Sequence, residues 1–221
     1  MVDAQAALTL DVLLKSFNPA ILAELDEQSE KSVLTFPYPL NGAEHAYRGW
    51  YHMGGTTKSR WCPRQSVHGG PRPGGPHVGA DLWSGDSTSI VAVANGTIEY
   101  NPRDDPNGWG NHIYLYFKHQ GTTYIAVYAH LHEDSAFPNP KVVQAGVLIG
   151  KPGCSGNAGS NGQCQRSYKC HNKIAIEDHL HFEVIVAATA KRLDPVAFFG
   201  LTVRHGNDNT CSECGSQEQL R

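Results

Sequence analysis

The chain has 221 residues, 40% of them hydrophobic, which suits one globular domain of ordinary size with or without appended segments. Its 18 basic and 21 acidic residues give a net charge of -3, so no positive field exists to hold a nucleic-acid backbone or an anionic membrane surface. No apolar run approaches the roughly 18 residues that a membrane-spanning helix needs. Nucleic-acid binding is therefore a poor expectation, and a membrane span is excluded.

The first third of the chain predicts short helices followed by irregular structure. Apolar residues recur at helical spacing up to Leu25 and are interrupted near Pro19, so residues 1–34 are expected to form an N-terminal helical arm. Asp11 interrupts the apolar stretch and no basic region precedes it, so no secretory signal is predicted. Residues 35–76 are aromatic and rich in Pro and Gly, which predicts a connecting loop or linker where neither a helix nor a central strand persists.

Residues 77–200 carry the pattern of a mainly β domain. Short runs rich in β-branched and aromatic residues, separated by turn residues, predict an antiparallel sheet: SIVAVA, GTIEY, NHIYLYF, TTYIAVYAHL, VLIG and HLHFEVIV. Residues 153–178 form a polar insert rich in Gly, Ser and Asn, which is expected to lie as a long loop over one end of the sheet. A short helix is predicted within residues 193–200, and residues 201–221 form a polar C-terminal tail.

The cysteines allow two interpretations. There are six: Cys62, Cys154, Cys164, Cys170, Cys211 and Cys214. An even number is typical of disulfides in an oxidising compartment, whereas the lack of a visible secretory signal also allows reduced thiols. Cys211 and Cys214 could form a redox or zinc pair, and Cys164 and Cys170 with His171 could hold a second zinc, but disulfides that staple loops are favoured.

Two histidine motifs in the β-rich region suggest a metal site. His77 and Asp81 are four residues apart, but the glycines around Pro76 disfavour a helix, so His77 closes a loop and Asp81 lies on the following strand. Taken alone, such a pair is more often a loop histidine beside a surface or turn carboxylate. His179 and His181 alternate on a strand and project from one face, an arrangement that is costly without a metal, although a surface pair remains an alternative.

Together these residues could form a catalytic zinc site. Such a site takes three protein ligands and keeps one position open for water or substrate. His77, Asp81 and one of the two strand histidines supply the ligands and leave the other imidazole beside the open position. His130, near the end of another β-rich run, is uninformative by itself and gains meaning only beside these residues.

Five motifs follow one another between residue 75 and about residue 196: HVGADL, GWGNHIYLYF, YAHL, VVQAGVLIGKPGCSG and HLHFEV. In this order they closely resemble the lysostaphin/LytM-type zinc metallopeptidases, which cleave peptide cross-links in bacterial cell walls. The resemblance implies that His77, Asp81 and His181 bind one Zn²⁺ ion per chain. It also implies that His130 and His179 are catalytic imidazoles.

The same resemblance implies a zinc-dependent endopeptidase that uses zinc-activated water on cross-links or stem peptides of bacterial peptidoglycan, with a monomer favoured. The protein is then expected to be secreted, periplasmic or in the cell envelope, with a phage particle or a leaderless effector as further routes. The alternative is a zinc-containing module that binds wall peptides or a partner without hydrolysis, which the complete set of five residues argues against. Trp109, Asn111 and Glu183 lie within the matched motifs and are expected to serve packing, a turn and edge-strand charge.

Overall fold

The computed structural model of the chain describes residues 35–42, 45–47, 63–72, 74–84, 89–102, 108–135, 139–158 and 179–205. The predicted N-terminal arm, most of the insert and the tail beyond residue 205 lie outside the described residues. No helix in the described ranges is long and apolar enough to cross a membrane.

Two antiparallel sheets dominate the part of the chain that the structure describes. Their strands are β1 (Ala46–Tyr47), β2 (Ala80–Trp83), β3 (Ile90–Val91), β4 (Gly96–Asn101), β5 (His112–His119), β6 (Thr122–Ala129), β7 (Lys141–Val143), β8 (Leu148–Gly150), β9 (Leu180–Val186) and β10 (Lys191–Leu193). Eight of them form one sheet in the order β1-β2-β9-β6-β5-β4-β7, with β10 also paired to β9, while β3 and β8 form a second sheet. The predicted mainly β, antiparallel fold is confirmed.

The alternation of side chains along β9 separates two faces of the large sheet. Leu180, Phe182 and Val184 belong to the main hydrophobic core, whereas Ile185 belongs to a smaller cluster on the opposite face. His181 and Glu183 share the face of Ile185, because side chains two residues apart on a strand project to the same side. On β9, one face is therefore buried in the main core, and the other carries His181 and Glu183 beside the smaller hydrophobic cluster.

Replacing Phe182 by alanine is expected to lower the free energy of unfolding by about 3–5 kcal/mol, because a fully buried ring is lost and a cavity remains. Phe182 is 0% exposed, and its ring centroid lies 5.1 Å from that of Tyr128. Val142→Ala is the control, because Val142 is 45% exposed on β7 and its truncation should change stability by about 0.5 kcal/mol or less. Chemical denaturation of the metal-free proteins measures both values. Equal losses in the two variants would contradict this account of the core.

The described residues of segment 35–76 pack onto the same domain. Tyr38 and Leu40 belong to the main core, and β1 pairs with β2 at one edge of the large sheet. A single helical turn, α1 (Pro63–Ser66), precedes the loop of His77, so the expectation that no helix persists in this segment is wrong at that point. The domain boundaries at residues 34, 76 and 200 stay predictions.

The predicted helix near residue 195 is confirmed as α2 (Pro195–Phe199). The Asp194 side chain caps its first turn by accepting from the backbone N–H groups of Val196 and Ala197, and Pro195 needs no such partner. Gly200 ends the helix in the left-handed conformation, with φ of 62°. Phe199 is thereby held in the main core, where its ring centroid lies 5.5 Å from that of Phe182 on β9.

Candidate metal centre

Strand register brings Asp81 and His181 together. The two residues are directly opposed across the β2–β9 pair, and residues opposed in a sheet project from the same face. His77 lies just before β2, where its backbone N–H donates to the Gly70 carbonyl at 2.9 Å and its own carbonyl accepts from Gly69 at 2.7 Å. These contacts fix the loop that holds the His77 ring beside the two strand residues.

Three ligand atoms from His77, Asp81 and His181 converge in a buried cluster. The His181 Nδ1 atom lies 2.9 Å from Asp81 Oδ1 and 3.1 Å from His77 Nε2, and His77 Nε2 lies 3.3 Å from Asp81 Oδ1. Ligand atoms around a tetrahedral zinc, at bond lengths of about 2.0–2.1 Å, lie about 3.3 Å apart. The spacing of the three atoms therefore fits a zinc ion.

The hydrogen bonds behind the cluster direct lone pairs towards its centre. His77 Nδ1 donates to the Val67 carbonyl at 3.1 Å, and His181 Nε2 donates to the Glu183 carboxylate at 2.9 Å. Since a carbonyl can only accept, the proton of His77 lies on Nδ1, and Nε2 keeps its lone pair. His181 faces a carboxylate at each ring nitrogen, so its Nδ1 offers a lone pair only when a metal ion takes the place of the proton that Asp81 would otherwise accept. The His77 lone pair and the Asp81 carboxylate oxygen thus both face His181 Nδ1, an arrangement that calls for a positive charge, either a proton on Nδ1 or a metal ion.

The charges around the cluster also favour a cation. Burial alone would raise the pKa of Asp81, but the Arg72 guanidinium and the nearby histidines hold it well below its usual value, so Asp81 is ionised. Burial would lower the pKa of His181, yet hydrogen bonds to Asp81 and Glu183 raise it to about 9 when no metal neutralises them. A positive charge at this point is therefore stabilised, whether carried by a proton or by a metal ion.

Arg72 was not expected from the sequence. Its guanidinium donates to Asp81 Oδ2, while its Nε donates to the Gln65 carbonyl at 2.8 Å. This arrangement occupies one carboxylate oxygen and leaves Oδ1 facing His77 and His181. No pattern identifies this arginine, because it lies in a Pro/Gly-rich loop whose path depends on tertiary packing.

The structure brings His130 and His179 next to the three-residue cluster. Their ring centroids lie 5.0 Å apart, and the His130 centroid lies 5.6 Å from that of His181. His179 Nε2 lies 3.6 Å from Asp81 Oδ1. All five residues singled out in the sequence are thus gathered in one buried site.

His130 is held in a strained turn directly after β6. Its φ is 64°, which is unfavourable for a residue other than glycine, and its backbone N–H donates to the Trp109 carbonyl at 2.9 Å. Its Nδ1 donates to the Ser155 carbonyl at 2.8 Å, so Nε2 carries the lone pair. Burial and the neighbouring His179 and His181 lower the pKa of His130 well below its usual value. His130 is therefore a neutral imidazole whose Nε2 lone pair can accept a hydrogen bond.

Ser155, which was not among the residues predicted for the site, joins the loops around His130. Its hydroxyl accepts from the Asn111 N–H at 3.0 Å and donates to the Leu131 carbonyl at 2.8 Å. Gly110 and Gly156 let the two loops meet, because a Cβ at either position would collide with the backbone of the other. Asn111 lies in the bend just before β5, and its backbone N–H ties this bend to the loop that holds His130.

The prediction that Glu183 is an edge-strand charge is wrong. The residue is 0% exposed on β9, which lies inside the sheet between β2 and β6. Trp109 Nε1 and Arg192 Nε also donate to its carboxylate. Burial would raise the pKa of Glu183, but His181 and Arg192 lower it, so the carboxylate is ionised. Glu183 therefore acts as a buried hydrogen-bond acceptor for His181. The two-residue spacing could have indicated this contact, because residues two apart on a strand project from the same face.

Only the beginning of the insert lies within the described residues. Gly153 pairs with His179, whose N–H donates to the Gly153 carbonyl at 3.3 Å, so the start of the insert borders the site. Cys154 is 3% exposed, and the other cysteines lie outside the described residues. The disulfide prediction therefore stays a prediction.

One of three comparisons with known proteins identifies the family of this chain. Among solved structures, the catalytic domain of the antimicrobial peptidase lysostaphin from Staphylococcus simulans aligns with 23% sequence identity and a TM-score of 0.41, covering 70% of this chain and 99% of that one. The comparison with curated proteins gave no match. The sequence profile of Peptidase family M23 matches residues 75–195, which include all five residues of the candidate site. This match extends over more than half of the chain, which therefore belongs to peptidase family M23.

Proposed function

We propose that the protein is a zinc-dependent endopeptidase that hydrolyses peptide cross-links or stem peptides of bacterial peptidoglycan. The observation that carries the proposal is the convergence of His77 Nε2, Asp81 Oδ1 and His181 Nδ1, with His130 and His179 beside them. Membership of peptidase family M23 supports the peptidase activity. We further propose that the protein acts in the cell envelope or outside the cell, where peptidoglycan is found.

His77, Asp81 and His181 are the proposed ligands of one zinc ion. The three residues are buried, and their remaining polar atoms are engaged by Val67, Arg72 and Glu183. When bound, zinc supplies a Lewis acid that polarises the scissile carbonyl and lowers the pKa of water towards about 7. Three protein ligands are the number found in catalytic zinc sites, whereas closed structural sites use four.

His130 and His179 are the proposed catalytic residues. We assign His130 the proton transfer from water to the leaving amine, because its ring has a fixed orientation and its Nε2 carries the lone pair. We assign His179 the hydrogen bond to the oxyanion that develops on the substrate carbonyl. Each of these contributions is typically worth ~10²-fold or more in rate.

Removal of zinc is expected to abolish hydrolysis of purified wall fragments, and added zinc should restore it. The reason is that polarisation of the carbonyl and activation of water both depend on the metal. Mass analysis of the digest, with and without a strong chelator, measures the effect and identifies the bond cleaved. The control is the same chelator saturated with zinc before addition, which should leave the rate unchanged.

Two outcomes would contradict this proposal. Hydrolysis that persists in chelator, in protein shown to contain no stoichiometric metal, would exclude the zinc mechanism. Zinc-loaded protein that binds wall fragments without releasing any product would instead indicate a binding module.

A further inference from the structure

The Glu183 carboxylate accepts hydrogen bonds from three side chains: Arg192, His181 and Trp109. Its Oε2 accepts from Arg192 Nε at 2.7 Å, while its Oε1 accepts from both His181 Nε2 at 2.9 Å and Trp109 Nε1 at 3.1 Å. Arg192 lies on β10 opposite Ile185, so it reaches Glu183 diagonally across the β9–β10 pair. Each oxygen of the buried carboxylate thus has a defined partner.

The His181 ring lies between two carboxylates, which compete for a single proton when the ring is neutral, as a metal ligand must be. Asp81 Oδ1 is 2.9 Å from Nδ1, and Glu183 Oε1 is 2.9 Å from Nε2. A neutral imidazole carries one proton, and whichever carboxylate receives it as a hydrogen bond decides which nitrogen keeps the lone pair. If Asp81 held the proton, Nδ1 could not bind a metal at the convergence of the three ligand atoms.

We propose that Glu183 is a positioning residue that holds the proton of His181 on Nε2 and thereby makes Nδ1 the metal-binding atom. Trp109 and Arg192 fix the carboxylate in the orientation this requires. The inference rests on the proposed zinc function and adds to it the residue that prepares one ligand. A carboxylate behind a ligating histidine also makes the imidazole a better donor to the metal.

Trp109 connects this pair to the other side of the site. Its indole donates to Glu183, and its backbone carbonyl accepts from the His130 N–H at 2.9 Å. Trp109 therefore orients a carboxylate behind His181 and also holds the turn of a proposed catalytic residue. This is more than the packing role predicted for it from the sequence.

The test is the zinc affinity of Glu183→Gln, measured by competition with a chromophoric chelator at fixed pH. Loss of the charged acceptor should weaken zinc binding by ~10- to 100-fold, as is typical for groups behind a metal ligand. The matched control is Glu99→Gln, which also replaces a carboxylate of the large sheet by an amide. Glu99 lies on β4, where it accepts a hydrogen bond from Tyr116 Oη of β5 at 3.3 Å. The control should keep the affinity of the unchanged protein.

A purely structural role for Glu183 predicts a different result. Glu183→Gln would then lower the melting temperature while zinc affinity stayed within about threefold of the unchanged protein, and this outcome would overturn the inference. Because affinity is measured without substrate, it is independent of hydrolysis. Weakened zinc binding in the variant, with no cleavage of wall fragments by the unchanged protein, would support the inference and contradict the proposed function.

A second measurement needs no variant and covers the case in which Glu183→Gln does not fold. In the zinc-loaded protein labelled with ¹⁵N-histidine, the ring nitrogens of His181 should report a metal-bound Nδ1 and a protonated Nε2 whose proton exchanges slowly. Zinc bound to Nε2, or an Nε2 proton that exchanges as fast as that of an exposed histidine, would overturn the inference.

Discussion

Replacing His181 by alanine is expected to remove zinc and peptide hydrolysis together. The variant leaves His77 and Asp81 as the only proposed ligands, and two protein ligands are fewer than catalytic zinc sites use. Turnover should fall by more than ~10³-fold, because carbonyl polarisation and water activation are lost at once. Zinc per chain after dialysis and the rate of wall-fragment hydrolysis measure the two effects.

The matched control for this variant is His132→Ala. His132 lies near the site, but its side chain is 26% exposed and its Nδ1 accepts from the Asp134 backbone N–H. This variant should keep both stoichiometric zinc and activity. Retention of tightly bound zinc by His181→Ala would show that His181 is not a ligand.

The sequence was sufficient for the local part of the site. Strand periodicity predicts that His179 and His181 share a face, because only one residue separates them. Turn chemistry predicts that His77 closes a loop before the strand of Asp81, as observed. These predictions succeed because they depend on residues close in the chain.

The long-range part of the site could not be predicted from pattern alone. Asp81 and His181 are 100 residues apart and meet only through the register of β2 against β9. Register depends on which strands become neighbours, and single-strand periodicity carries no information on that choice. The motif resemblance supplied the pairing instead.

The arginine contacts to the carboxylates of Asp81 and Glu183 were not predicted, for a related reason. Arg72 and Arg192 reach Asp81 and Glu183 from a loop and from a neighbouring strand. A surface arginine and an arginine paired to a buried carboxylate look the same in a sequence, because burial of the partner is a tertiary property. Glu183 was misjudged since β9 was taken to be an edge strand, and its position inside the sheet was not predicted.

His179→Ala is expected to keep near-stoichiometric zinc and a folded domain while turnover falls by ~10²-fold or more. His179 lies two residues before His181, yet the cluster whose ligand atoms all lie within 4.8 Å of one another comprises only His77, Asp81 and His181. The variants His179→Ala and His181→Ala thus remove the same side chain from two positions on one face of the same strand region, one proposed as catalytic and the other as a zinc ligand. Zinc content should separate them, whereas activity alone should not.

His130→Ala should behave like His179→Ala, because the His130 ring is buried beside the cluster but engages the Ser155 carbonyl rather than a ligand. Since both histidines act on one transition state, the double variant should lose less than the product of the two single losses in turnover. Zinc content, thermal stability and hydrolysis rate of the three variants are measured side by side.

Loss of zinc from His179→Ala with retention by His181→Ala would mean that the two roles are exchanged. Multiplying losses in the double variant would mean that His130 and His179 act in separate steps, each with its own barrier.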